Sequence, residues 1–201
     1  MKVVEQEYKR LKKKWNGPES FIYIFPIKHV HLPDRKRAIQ KNGVSFKEGI
    51  FLFLSPDIPL VEIKALLAHE YNHVCRLAYL KLDEKNIPLK ESLIIEGLGE
   101  YAVKELYGEE RLGPWTRLYQ NKNVIGIWER GFLPDLNVKG LDKHSLFLYG
   151  QGNDKFPKWI GYYFGFQIVE SYDERYGPLC IRELLTKTAD ELIAGSNLPL
   201  E

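Results

Sequence analysis

The chain has 201 residues, a formal net charge of +2 and 44 % apolar residues, enough for one packed core and too little basic excess for a dedicated nucleic-acid binder. Cys75 and Cys180 are its two cysteines, too few to make a disulfide framework. No stretch reaches the length of a membrane-spanning helix, and residues 1–15 lack the apolar core of a signal peptide. The expectation is a reduced, soluble, cytoplasmic protein with neither membrane nor nucleic-acid partners.

In chain order, residues 3–15 read as an amphipathic helix stopped by Asn16-Gly17-Pro18. The run Lys9, Arg10, Lys12, Lys13 and Lys14 reads as its solvated face. Residues 21–27 have strand composition, with Pro26 at an edge or strand end. A polar stretch, 33–42, follows, and His29 and His31 before it serve solvent or backbone rather than metal. Gly49–Leu54 reads as a short buried strand. Ser55-Pro56-Asp57 breaks it, and Asp57 is placed to cap a long helix of about residues 59–82. A second helix spans about 90–107 and ends at Gly108, the position that suits a left-handed cap. Residues 109–155, rich in Gly, Pro and aromatics, form short helical or irregular pieces. Helices of about 156–176 and 179–187 follow, and Thr188-x-x-Glu191 is a capping box opening a last short helix. Strands first and helices later predict an α+β fold with a mostly helical C-terminal half.

Inside the long helix lies His69-Glu70-Tyr71-Asn72-His73. Residues four apart share a helix face, so the two imidazoles can close on one metal ion. The intervening carboxylate projects beside them, toward a metal-activated water. A surface helix that happens to carry two histidines is the plain alternative. The apolar flanks Leu66, Leu67, Ala68, Val74, Cys75, Leu77 and Ala78 argue for burial, and buried imidazoles want partners.

A catalytic zinc takes three protein ligands. The metzincin extension of the motif requires Gly and His where this chain has Arg76 and Tyr79. Cys75 lies roughly 200° around the helix from His73 and points away from the metal. It reads as a small core residue, as does Cys180. The next helix carries Glu96-Gly97-Leu98-Gly99-Glu100. The favoured reading has Glu96 as the third ligand and Glu100, one turn on, accepting the free N–H of a ligating histidine; two solvent-facing glutamates on an exposed helix are the plain alternative. Two glycines inside a helix cost about 1 kcal/mol each relative to alanine, and close approach of two helices around a metal would compensate.

The pattern His-Glu-x-x-His followed by Glu-x-x-x-Glu resembles the gluzincins, the thermolysin-like zinc peptidases. The segments HEYNHVCRL (69–77), ESLIIEGLGEYAV (91–103), GYYFGFQIVE (161–170) and ADELIAGSN (189–197) resemble a bacterial family of predicted Zn-dependent proteases, the YjaZ-like proteins. The resemblance covers most of the chain from about residue 45. It implies a zincin-like fold in a single domain, 1–201. A small sheet in an upper lobe (about 1–83) would lie over the active-site helix, a helical lobe (about 84–201) below, and a cleft between them.

The activity so implied is hydrolysis of a peptide or protein substrate with one Zn²⁺ per chain, held by His69, His73 and Glu96. Glu70 would act as general base on water and then as proton donor to the leaving amine. Gluzincins take an oxyanion donor from a downstream Tyr or His. The candidates here are Tyr162, Tyr163, Tyr149 and His144. Tyr162 is favoured because Gly161 and Gly165, four apart on its helix, permit close packing. Arg76 could pair with Glu100 or grip a substrate carboxylate, a structural ion pair being its commoner use. Gly49–Leu54 stands where an edge strand would hold an extended peptide, or is a fully paired core strand. The alternative function is a zinc-containing module with a binding or regulatory role and no peptidase activity. Hydrolysis of a non-peptide amide is a third.

Overall fold

The computed structural model describes residues 2–27, 41–151 and 155–200. Its fold is α+β. Helix α1, Lys2–Trp15, buries Val4, Glu7, Leu11 and Trp15 at helical spacing. Its basic residues face outward and pair with nearby carboxylates: Lys9 with Glu5, Arg10 with Glu7, Lys12 with Glu19 and Lys14 with Glu105. The solvated-face reading of this run therefore holds.

Three strands follow: β1, Phe21–Pro26; β2, Lys41–Phe46; and β3, Gly49–Leu54. The sheet order is β1-β3-β2, with β1 parallel and β2 antiparallel to β3. Gly49–Leu54 is thus the paired central strand, and β2 is an edge. Most of β2 falls beyond the stretch read as polar, and it was not foreseen as a strand. His29 and His31 lie outside the described residues. One sheet face, with Ile50 and Leu52 fully buried, joins the core. The other carries Phe21, Tyr23, Phe25, Val44 and Phe46, all exposed.

Helix α2, Leu60–Tyr79, is buried on nearly every side because the sheet, α1 and the next helix, α3 (Leu89–Tyr107), all pack around it. Its N-cap is Pro59 without a side-chain cap, so the expected role of Asp57 fails. Tyr71 stacks on Trp15, with ring centroids 6.0 Å apart, and its hydroxyl donates to the Pro18 carbonyl at 2.8 Å. Cys75 is fully buried on this side of α2, and burial pushes its thiol up to about 12. Cys180 is exposed at the N-cap of the helix Ile181–Thr186 and is not a core residue.

After α3, Gly108 caps the helix with φ +88° and ψ 163°, a positive φ but not the left-handed helical conformation expected. Short 3₁₀ turns cover Glu109–Arg111, Pro114–Arg117 and Leu133–Asp135, and α4 (Ile125–Ile127) runs into a π turn, Trp128–Phe132. Then come α5 (Leu141–Tyr149), α6 (Ile160–Tyr176), α7 (Ile181–Thr186) and α8 (Ala189–Gly195). The Thr188–Glu191 capping box opens α8 as expected.

Two details set the helix geometry. A Cβ on Gly97 would run into the backbone carbonyl of Gly165, and one on Gly165 into that of Leu93, so α3 and α6 cross at backbone contact. Arg76 is fully buried. It pairs with Glu91 at 3.0 Å, not with Glu100, and donates to the carbonyls of Leu185 (3.1 Å) and Lys187 (2.5 Å). It joins α2, α3 and the end of α7, which removes it from any substrate-binding role. Among the described residues, no helix is long and apolar enough to cross a membrane.

Candidate metal centre and cleft

The buried middle of α2 places His69 and His73 on the face toward α3, ring centroids 4.6 Å apart. From α3, Glu96 Oε2 lies 3.3 Å from His69 Nε2 and 3.7 Å from His73 Nε2. One donor atom from each of the three side chains falls within 4.8 Å of the others. In a tetrahedral zinc site with bonds of about 2.0–2.1 Å, ligand atoms stand roughly 3.4 Å apart, so the spacing fits one such ion. Gly99 makes room for this. A Cβ there would sit 2.9 Å from His69 Cε1 and Nδ1 and from His73 Nε2. The two helix glycines therefore have different partners: Gly97 admits α6, and Gly99 admits the imidazoles.

Hydrogen bonding points the same way. His73 Nε2 is buried without a hydrogen-bond partner, a vacancy that a metal bond would satisfy. Burial resists a charge on His69, but the Glu100 and Glu96 carboxylates outweigh it and raise this imidazole well above its ordinary range. Burial lowers His73 below its ordinary range. Burial also opposes ionisation of Glu96, yet His73, His69 and the Tyr162 hydroxyl hold its carboxyl low. Among the described residues, no Lys or Arg pairs with Glu70, Glu96 or Glu100. The centre is therefore rich in carboxylate, and a divalent cation would neutralise it.

The groups around these donors are equally placed. Glu100 Oε1 is 3.4 Å from His69 Nδ1, while its Oε2 accepts the Gly113 N–H at 2.9 Å. Glu70 faces β2, where the Ser45 hydroxyl donates to Oε2 and the Gly43 backbone lies against Oε1. Ser45 and Gly43 are neighbours of Glu70 that sequence reasoning missed. Their signal was the alternation of KNGVSF, weak in a strand holding Gly and Asn.

Of the four downstream candidates, Tyr162 reaches this centre. It lines the cleft, and burial, with Glu96 next, pushes its hydroxyl well above the usual phenol range. Tyr149 also lines the cleft, its hydroxyl 3.5 Å from that of Tyr162. His144 is turned into the core, bonded to Ser92 Oγ and the Val138 carbonyl, each at 2.8 Å. Tyr163 packs edge-on against Tyr119 and is absent from the cleft wall.

The cleft holds about 830 Å³. β2 forms one side, Glu110 to Pro114 the roof, and Trp115, Tyr149, Trp159 and Tyr162 the far wall. Near β2, Glu62 bonds both Lys41 (2.7 Å) and Arg111 (2.8 Å). Burial works against its charge, but the two cations hold the Glu62 carboxyl below its ordinary value.

Comparison with known proteins agrees with this centre. The family described as "Predicted Zn-dependent protease (DUF2268)" matches residues 1–194. Two relatives come from Bacillus subtilis (strain 168). YjaZ is 36 % identical over 170 residues, 84 % of this chain and 64 % of the relative. YjfC is 30 % identical over 161 residues, 74 % of this chain and 52 % of the relative. The chain thus spans less than two thirds of either relative's length. It belongs to this family of predicted Zn-dependent proteases.

Proposed function

With that family as the premise, we propose that the chain is a zinc metallopeptidase of gluzincin type with a zincin-like fold in one domain, an upper part of about 1–83 and a lower part of about 84–201. The observation that carries this reading is the convergence of His69 Nε2, His73 Nε2 and Glu96 Oε2 beside Glu70 in an open cleft. These three side chains would hold one Zn²⁺. Zinc bound there would lower the pKa of a water and polarise a substrate carbonyl.

The chain's own groups supply the rest. Glu100 accepts the Nδ1–H of His69 and so fixes the tautomer that presents Nε2. Glu70 takes a proton at its carboxylate and delivers it to the leaving amine. The Ser45 hydroxyl, donating to Oε2, orients that carboxylate. Tyr162 stays protonated because it is buried beside Glu96, so its hydroxyl can donate to the oxygen that gains charge. An extended peptide would pair with the outer edge of β2, which runs along the cleft.

A zinc module without catalysis would need neither Glu70 nor its Ser45 bond. Glu70→Gln separates the two readings: it retains zinc and loses all cleavage of a peptide library. Undiminished turnover in that variant would rule out the mechanism. Metal analysis tests the ligands: His69→Ala and Glu96→Ala lose zinc, whereas Glu100→Ala is only weakened. Full occupancy in Glu96→Ala would sink the gluzincin reading.

A further inference from the structure

The far wall of the cleft is built from three large rings and ends at Tyr162. Trp115 and Trp159 stack with centroids 5.1 Å apart, Tyr149 meets Trp159 edge-on at 5.2 Å, and all three contact Tyr162 within 5.6 Å. Other aromatics of the helical part, Trp128, Phe132 and Phe164, are fully buried in the core. The wall rings are not. Tyr149 is 46 % exposed, and Trp115 and Trp159 are half-buried, all lining the same concavity. Apolar rings left facing a cleft, one hydroxyl away from Glu96, are placed for a ligand rather than for the core.

Backbone evidence shows that the wall is held in this form. Trp159 has φ +64° and ψ 19°, a left-handed conformation that a bulky residue rarely adopts. Its N–H donates to the Tyr149 carbonyl at 2.7 Å, which pins the two residues together. Trp115 lies flat over Gly113, where any Cβ would strike its indole. Strain at one indole and a missing side chain under the other both serve to place rings on the cleft.

We propose that Trp115, Trp159 and Tyr149 form a side-chain subsite that selects peptides with an aromatic or other large apolar residue flanking the scissile bond. This rests on the peptidase reading for its substrate, but not for the binding event. An extended chain along β2 alternates its side chains, so one of them points across the cleft to this wall. Burying such a side chain against three rings favours it over alanine by about 10- to 100-fold.

The test has two arms on zinc-loaded protein. In the first, wild-type cleavage sites in a mixed peptide library are read by mass spectrometry, and matched peptides with Phe or Ala at the enriched position are compared. Phe is favoured at least tenfold in kcat/KM, and Trp159→Gly, which also relieves the backbone strain, cuts that ratio to within about threefold of unity. Tyr149→Ala, at a half-exposed helix end, gives the same direction should the tryptophan variant fail to fold. In the second arm, Glu70→Gln protein is titrated with N-acetylphenylalanine amide and N-acetylalanine amide. The phenylalanine amide binds more tightly, and the added Trp159→Gly or Tyr149→Ala substitution removes the difference. Cleavage without aromatic or large apolar preference, or a preference that survives both substitutions, overturns the subsite and leaves the peptidase reading intact. Amide selectivity lost on substitution, in a protein that cleaves nothing, supports the subsite and removes the peptidase reading.

Discussion

Gly99→Ala is the most discriminating perturbation of the centre. The new Cβ would lie 2.9 Å from three atoms of the His69 and His73 rings. Carbon and nitrogen atoms pack at about 3.4 Å or more, so the rings must retreat by roughly 0.5 Å. Zinc–ligand distances tolerate about 0.2 Å, and a disturbed ligand shell typically costs about 10- to 100-fold in metal affinity. The helix itself gains about 1 kcal/mol from the same change. Gly99→Ala should therefore bind zinc 10- to 100-fold more weakly while the metal-free protein keeps most of its stability. Gly97→Ala is the control. Its Cβ meets the Gly165 backbone, which cannot swing aside, so α3 and α6 must separate at a net cost of about 2 kcal/mol. Chelator competition measures the zinc affinity, and urea unfolding of the metal-free proteins measures stability. A zinc affinity within twofold of wild type in Gly99→Ala would refute the reasoning. So would two variants that lose both properties in the same proportion.

Other expectations follow from single contacts. Ser45→Ala removes the hydroxyl that orients Glu70; kcat should fall about tenfold with zinc content unchanged, and wild-type kcat would show that the bond has no role in proton transfer. Glu91→Ala leaves the Arg76 guanidinium buried without its anion and should destabilise the protein by about 3–5 kcal/mol in urea unfolding; a loss under about 1 kcal/mol would mean that the carbonyls of Leu185 and Lys187 suffice. The Glu62 carboxyl is held below its ordinary value of 4.5, so its contribution is fully present above pH 4.5 and is lost as pH falls through the lowered folded value. In Glu62→Gln the decline of stability below pH 4.5 should be shallower than in wild type; parallel curves would show that Lys41 and Arg111 do not stabilise the ionised form.

Helices α1, α2, α3, α6, α7 and α8 were legible because each carries its own local signal, whereas α5 lies within a stretch read only as short helical or irregular pieces. The apolar frame of α2, the Glu96–Glu100 spacing on α3 and the Thr188–Glu191 box are patterns within one or two turns. What sequence reasoning missed is non-local. β2 is a strand through its pairing with β3, and Gly43 and Ser45 matter only because that pairing brings them against Glu70, about 25 residues away in the chain. The Asp57 cap failed because Pro59 already sets the entry to α2. Arg76 chose Glu91 over Glu100 because it turns toward α7, an element more than a hundred residues distant. Cys180 was misplaced because a free cysteine is among the most often buried residue types, whereas its own position is a helix cap open to solvent.

Glu100 has a consequence of another kind. One of its oxygens faces the His69 ring and the other holds the Gly113 N–H, so the roof of the cleft hangs from the same carboxylate that touches this imidazole. Such a joint makes the protein a poor subject for modular loop exchange. A roof grafted from elsewhere brings its own length and tilt to residue 113, and any pull there reaches the imidazole through a single side chain. In the zinc peptidase proposed above, substrate range and metal retention would be yoked together, and a library that varies residues 108–117 should be screened for zinc before it is screened for activity.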